Sequence, residues 1–309
     1  MSKYIVRRLL WMVVVLFFVS LITFLLFFAV PADPAKSIAG THATPDVLAR
    51  IRRELGLDLP IYRQYATYMW HLVQGDMGYS YETQLPVAKA ILQRFPATVM
   101  VAFFGIFFEL LIGIPIGMTS ALRQYGIRDR LFTVLSLLFL SMPMFFLGML
   151  LLYVFAFQWP IFPLGGYEGW AAPLYGILPG LALGLTGAAW YSRLLRSSML
   201  DILNADYVKA ARAKGLPERT VVWRHIMRNA WSPIVTLLGM DVGWFLGGVL
   251  VLEIVFGIPG IGGQAFMAIQ SQDLPMIMGT VLFAALLVTV SNFVVDLAYT
   301  WLDPRVKYS

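Results

Sequence analysis

Six stretches of this sequence are long and apolar enough to cross a lipid bilayer, which excludes most folds at once. A transmembrane helix needs about 20 mostly apolar residues. The runs are residues 9–30, 97–122, 131–157, 176–195, 232–256 and 276–301, the fourth being the weakest and rich in Gly and Ala. In hydrocarbon every backbone N–H and C=O must be bonded internally, so such runs fold as helices. The expected fold is therefore all-α, a polytopic membrane protein with six transmembrane helices. The first run follows Lys3, Arg7 and Arg8 as a signal peptide would, but it exceeds the roughly 7–15 apolar residues of a cleaved leader and is expected to stay as an anchor.

Composition agrees. Charged residues are 13% of the chain, against roughly 25% in soluble domains. Cysteine is absent, which excludes disulfides and thiolate metal sites. His42, His71 and His225 are far apart, so no metal site is expected. The net charge of +6 matters through its placement rather than as a sign of nucleic-acid binding, which is not expected. Sixteen of the 23 Lys and Arg lie before the first run, in loop 123–130, in segment 193–230 and in the C-terminal tail; connections 158–175 and 257–275 have none. The positive-inside rule then puts both termini in the cytoplasm, with the chain multi-pass in the cytoplasmic (inner) membrane.

Three regions follow: 1–30, a cytoplasmic N-terminus and first span; 31–96, an extracytoplasmic loop; and 97–309, a five-helix core. The loop carries helical signals. Thr44 and Pro45 start a helix with Val47, Leu48, Ile51 and Leu55 on one face and Gly56 at its end. Pro60 opens a second, with Ile61, Tyr65, Tyr68 and Leu72 on one side and Gly75 beyond it. The loop reads as a cap on the outer face, as a docking surface for an external partner, or as both.

Segment 193–230 is too polar to span and too patterned to be a tether. Residues 207–213 form a helix, Gly215 stops it where a left-handed residue is wanted, and Pro217 suits the first turn of a second helix towards Asn229. Eight Lys and Arg face only Asp201, Asp206 and Glu218. Ala210, Ala211 and Ala213 beside the turn would let another backbone or groove approach closely. Such a basic hairpin could merely set topology or bind acidic lipid. Its two capped helices and small-residue patch point to a docking element.

The run Ala210-Ala211-Arg212-Ala213-Lys214-Gly215-Leu216 resembles the EAA loop of ABC-transporter permeases. More narrowly, the chain resembles the dipeptide/oligopeptide/nickel permease family and its dipeptide B-type subunit. Further matches occur in order along nearly the whole chain: Pro31-Ala32-Asp33-Pro34, Glu54-Leu55-Gly56-Leu57-Asp58, Gly75-Asp76-Met77-Gly78, Pro96-Ala97-Thr98, Ser141-Met142-Pro143, Arg196-Ser197-Ser198-Met199, Glu253-Ile254-Val255-Phe256 with Pro259-Gly260, and Asp303-Pro304-Arg305. Lys209 departs from the pattern, since the wider superfamily has Glu there. The resemblance implies an ABC importer permease fold and a coupling hairpin made by Lys209, Ala210, Ala211, Arg212, Lys214, Gly215 and Leu216, seated in a groove of a cytoplasmic ATPase. It also implies the partners: a second related permease subunit, two ABC ATPase subunits and an extracytoplasmic substrate-binding protein, all in a setting of membrane lipid. The chain has no G-x-x-x-x-G-K-[ST] loop. It is expected to be no enzyme and to bind no cofactor, with ATP and Mg used by the partner ATPases. The implied cargo is dipeptides or oligopeptides, with glutathione, nickel and other solutes also carried in the family.

Ionisable groups inside spans are functional candidates. Asp241 is a candidate for the pathway, meeting a cationic group of the substrate, or for a bond to the partner permease. Glu109, mid-span in the second run, reads as a pathway group or a structural pair. Glu253 reads as a bond to the free backbone of turn 257–263, and Asp296 as a partner for a cytoplasmic Arg. The turn with Pro259 and Gly260 leads into polar stretch 264–273 and reads as an outer gate or a plain connector. Two alternatives use the same residues: an ion-coupled secondary transporter relaying through Asp241 and Glu109, and a non-transporting membrane scaffold.

Overall fold

The computed structural model describes residues 2–29, 35, 44–54, 56–168 and 172–302. The motifs at 31–34 and 303–305, with His42 and Leu55, lie outside the described residues. Among the described residues the fold is all-α, with one isolated β-bridge between Tyr79 and Pro86. In order the helices are α1 (Ser2–Ala29), α2 (Pro45–Glu54), α3 (Ile61–Val73), α4 (Val87–Leu122), α5 (Ile127–Ser141), α6 (Met144–Leu152), α7 (Ala172–Leu203), α8 (Asp206–Ala213), α9 (Met227–Leu246), α10 (Leu250–Val255), α11 (Ile261–Gln270) and α12 (Leu274–Leu302). A π-helical turn, Tyr153–Gln158, extends α6, and a short helix, Glu218–Thr220, and a π turn, Val221–Ile226, lead into α9.

Among the described residues four helices, α1, α4, α7 and α12, are long and apolar enough to span a membrane, and α5 with α6 makes a fifth if the bent pair is one span. The 131–157 run is thus not one straight helix: α5 and α6 meet at 100°. Met142 is extended (φ −80°, ψ 129°) because the following Pro143 disfavours the helical region for the residue before it. The 232–256 run is also divided. Its helix starts earlier, near Glu218, and ends at Leu246, where Gly248 takes φ +109°. Its polar residues, including Arg228, Asn229 and Asp241, keep α9 out of the apolar set. The stretch 264–273, read as a polar connector, is mostly helix α11. The second run begins ten residues earlier than hydropathy indicates, at Val87 after Pro86, with Pro96 inside the helix.

The centre of the fold is the parallel pair α4 and α7. Gly176, Gly180 and Gly184, four residues apart, face Met100, Phe104 and Phe108. Gly113 and Gly117 in turn lie against the backbone of Ala188 and Ser192. Lipid tails are as apolar as leucine, so helices in a bilayer associate by close van der Waals fit, and small residues provide it. The Gly/Ala content that made the fourth run weakest in hydropathy is what lets it sit at the core. The antiparallel pair α9 and α12 uses the same device, Gly239 against Val295 and Gly243 against Val288 and Ser291.

Helix α1 is peripheral and rests on α12. At one end Arg8 Nη2 donates to Asp296 Oδ1 at 2.8 Å. At the other, Ser20 Oγ and Tyr65 Oη share a 2.7 Å hydrogen bond. There Tyr65, Tyr68 and Leu72 of α3 pack on Phe24, Leu274, Met278 and Leu282, while Tyr62, Trp70 and Val73 stay exposed. Burial holds Tyr68 protonated well beyond the usual phenol range and pushes Tyr81, in the same loop, up to about 12.

Candidate functional site

The hairpin joining α7 to α9 is built from local rules. Ala205 is extended and starts α8. At its far end Gly215 N–H donates to Arg212 O at 2.9 Å and Leu216 N–H to Ala211 O at 3.4 Å, closing the last turn. Gly215 has φ +75°, a conformation a side chain resists by roughly 1–2 kcal/mol. Nothing lies within 4 Å of where its Cβ would be, so backbone conformation and not crowding requires glycine. Pro217 (φ −60°, ψ 140°) caps the next helix. Arg212 bridges the turn to Glu218 through two hydrogen bonds, 2.7 and 3.1 Å. That pairing lowers the Glu218 carboxyl below its ordinary value and raises the Arg212 guanidinium. Lys209 pairs with Asp206 of its own helix at 3.4 Å, in the open.

The hairpin is part of the main body. Val208 and Ala211, three residues apart and on one face, are buried with Val221, Val222, Ile226, Tyr191, Leu195 and Met199. Outside lipid, burying a side chain such as Val or Ile stabilises by about 1.5–3 kcal/mol. The expectation that Ala210 and Ala211 form the contact together is corrected on this point. Ala211 is 5% exposed and faces inward, because adjacent positions on a helix point about 100° apart. Ala210, Arg212, Ala213, Lys214, Gly215 and Leu216 form the exposed tip.

Above the hairpin the structure brings Glu109 and Asp241 to one cavity, of about 230 Å³, and adds Tyr191 between their helices. Tyr191 Oη donates to Asp241 Oδ2 at 2.7 Å. Glu109 is buried, with Gly187 against its carboxylate, and its Oε2 has no hydrogen-bond partner among the described residues. Trp190, Trp244 and Phe245 line the same space.

Glu253 is elsewhere and differently used. It is 1% exposed. Its Oε1 accepts from Thr98 Oγ1 and its Oε2 from Gly263 N–H, both at 2.7 Å. Thr98 Oγ1 in turn accepts from Ile261 N–H at 2.9 Å. A carboxylate thus sits on the N-terminus of α11, where free N–H groups and the helix dipole favour negative charge. Gly260 lies so close to this carboxylate that a Cβ there would collide with it, while Pro259 is exposed.

Two ion-bonded anchors escape a search for charges inside spans. Asp129 is held by Arg196 through two 2.9 Å hydrogen bonds and also accepts from Tyr125 N–H, tying the loop before α5 to α7. Arg196 stands in a motif already noted, whereas Asp129 gives no sequence signal of its own. Asp273 accepts from Ser80 Oγ at 2.5 Å and from Met276 N–H at 3.2 Å, fixing loop 79–86 to the start of α12. Only the fold brings Ser80 and Asp273 together. Among the described residues no group of three or more His, Cys, Asp or Glu could hold a metal.

The sequence matches known proteins along nearly the whole chain. Residues 113–308 match the family model for the binding-protein-dependent transport system inner membrane component, and residues 1–102 match the N-terminal model of such components. This chain belongs to that family. It is a multi-pass inner-membrane protein, the permease subunit of an ABC importer. The glutathione transport system permease proteins GsiC of Escherichia coli (strain K12) and of Salmonella typhimurium are each 37% identical to it over 308 residues, covering 100% of both chains. Among solved structures, the MetNI methionine ABC transporter in inward-facing conformations is similar with a TM-score of 0.58, at 18% identity, over 70% of this chain and 97% of that one. That likeness shows the importer permease fold. As a permease subunit the chain is not itself the catalytic component, and it works with an ATPase, a substrate-binding protein and a second permease.

Proposed function

We propose that this permease moves dipeptides and short oligopeptides inward, driven by ATP hydrolysis on two separate ATPase subunits. Glutathione, named for the relatives above, is a tripeptide and falls in this class. ATP and Mg would be bound by those ATPases and not by this chain. The hairpin faces the cytoplasm in this reading, as do both termini, and the loop containing α2 and α3 faces the substrate-binding protein.

One observation carries the proposal. The hairpin is the direct link between α7 and α9, the helices that bear Tyr191 and Asp241. Its buried residues share one packed cluster with Tyr191. A push on the exposed tip therefore moves the cavity wall as a body. Packed interfaces of this kind switch between discrete arrangements and do not deform continuously. Glu253, Gly260 and Pro259 sit at the opposite end, where closure of α10 and α11 would gate the external side.

The test is uptake in proteoliposomes holding the permease pair and ATPases, with the binding protein and labelled dialanine outside. Uptake should require internal ATP and should ignore an imposed proton gradient. Uptake that follows the proton gradient without ATP would reject the reading.

A further inference from the structure

We infer that the Glu109–Asp241 cavity is a subsite for a protonated amine, taking the α-ammonium group of a permeant peptide. The inference rests on the peptide-permease reading above and specifies which part of the peptide the permease recognises. Its basis is the imbalance of the cavity. Two carboxylates line it, and no Lys or Arg does. Asp241 has Tyr191 as a donor. Glu109 is 2% exposed and its Oε2 has no partner among the described residues, although a buried carboxylate oxygen without a donor is costly. The helix that faces it supplies Gly187 there, and only glycine lets the carboxylate pack this closely, because a Cβ would collide with it.

An ammonium group fits what is missing. It carries three N–H donors and one positive charge, enough to serve Glu109 and Asp241 together. Trp190 and Trp244 line the same cavity, and indole faces attract cations. The space, about 230 Å³, is far larger than the roughly 10–15 Å³ that a single water needs on the same measure, so a ligand head group has room. A free carboxylate or a phosphate would meet repulsion here.

The experiment uses the complete permease–ATPase complex without its binding protein, so that selection by the binding protein does not enter. Tryptophan fluorescence is followed on titration with dialanine and with N-acetyl-dialanine, which differ in the amine. Dialanine should bind at least about tenfold more tightly. Glu109→Gln and Asp241→Asn, each checked for assembly by gel filtration, should each reduce the preference to less than about threefold. Equal affinity for the two peptides in the native complex would overturn the inference, and this comparison needs no variant. Failure of dialanine to bind, with loss of the permease pair in Glu109→Gln, would also overturn it, since a basic side chain of the second permease would then be the occupant. ATP-driven uptake of labelled dialanine by the same complex, reconstituted with its binding protein added back, separates the two levels: equal affinity for the two peptides with uptake intact rejects this inference alone, and absence of uptake rejects the reading beneath it.

Discussion

Replacing Glu253 with alanine should destabilise this protein by several kcal/mol, about 3–5 by the count of the donors it leaves behind. The carboxylate takes two short hydrogen bonds, from Thr98 Oγ1 and Gly263 N–H, and is 1% exposed. Hydrogen bonds to a charged group contribute about 1.5–3 kcal/mol each, and the buried donors left behind lose their acceptor. Two neutral donors are left unsatisfied, at about 1–3 kcal/mol each, so a total cost of about 3–5 kcal/mol is expected. At about 2 °C per kcal/mol for a large domain, the melting temperature should fall by roughly 6–10 °C. Glu253→Gln keeps the shape but turns an NH₂ towards one of the two donors, so a fall of about 2–6 °C is expected. The assay is thermal unfolding of the detergent-purified complex, followed by intrinsic tryptophan fluorescence. A Glu253→Ala protein melting within about 1 °C of the parent would refute the placement of this carboxylate on the start of α11.

Other outcomes follow from the same geometry. Gly180→Ala should lower the melting temperature clearly, because the new Cβ meets Phe104 of α4 and the two helices must part; an unchanged melting curve would show that α4 and α7 do not pack this closely. Gly215→Ala has open space but the wrong φ, so a local cost of about 1 kcal/mol is expected, with reduced ATP-driven uptake and an intact assembly on gel filtration. Arg196→Met strands Asp129, which is 4% exposed, and should cost about 3–5 kcal/mol in the same melting assay, whereas Arg196→Lys should recover part of it. The Arg212–Glu218 pair is half exposed and worth under about 1 kcal/mol. Because Arg212 lowers the folded value of Glu218, that contribution is present above the ordinary carboxylate value of about 4.3 and is lost as pH falls through the lowered one. Extra deuterium uptake at residues 214–216 in Arg212→Gln, relative to the parent, should therefore be seen at neutral pH and disappear in acid.

Hydropathy reveals the spans because the bilayer leaves the backbone no alternative to helices. It does not reveal where they break. The turn at Met142 is set by Pro143 together with the surfaces that α5 and α6 find, and the one-dimensional apolar run is the same for a straight helix. Extension of α9 back to Glu218 and its end at Gly247–Gly248 are hidden for a related reason: the run tracks lipid exposure, and the start of the helix packs Ile226, Met227 and Ala230 on the hairpin while Arg228 and Asn229 are exposed. The hairpin itself was legible, since Gly215 and Pro217 act locally through φ. Which alanine faces out was not, because that depends on what covers the other side. Glu109 and Asp241 were visible as costly charges, but Tyr191, the donor between their helices, looked like one more aromatic. Thr98, Ser80 and Asp273 needed the fold, since their partners are more than a hundred residues away.

The most direct test uses the absence of cysteine from this chain. A single cysteine in place of exposed Ala210 or Ala213 can be cross-linked, in the assembled transporter, to single cysteines placed around the groove of the ATPase. Efficient cross-linking at both tip positions, with ATP-driven uptake blocked until the link is reduced, is the expected result. Full ATP-driven uptake with the tip locked to the ATPase, or no cross-link from either position while uptake proceeds, would contradict the assignment of this hairpin as the coupling element.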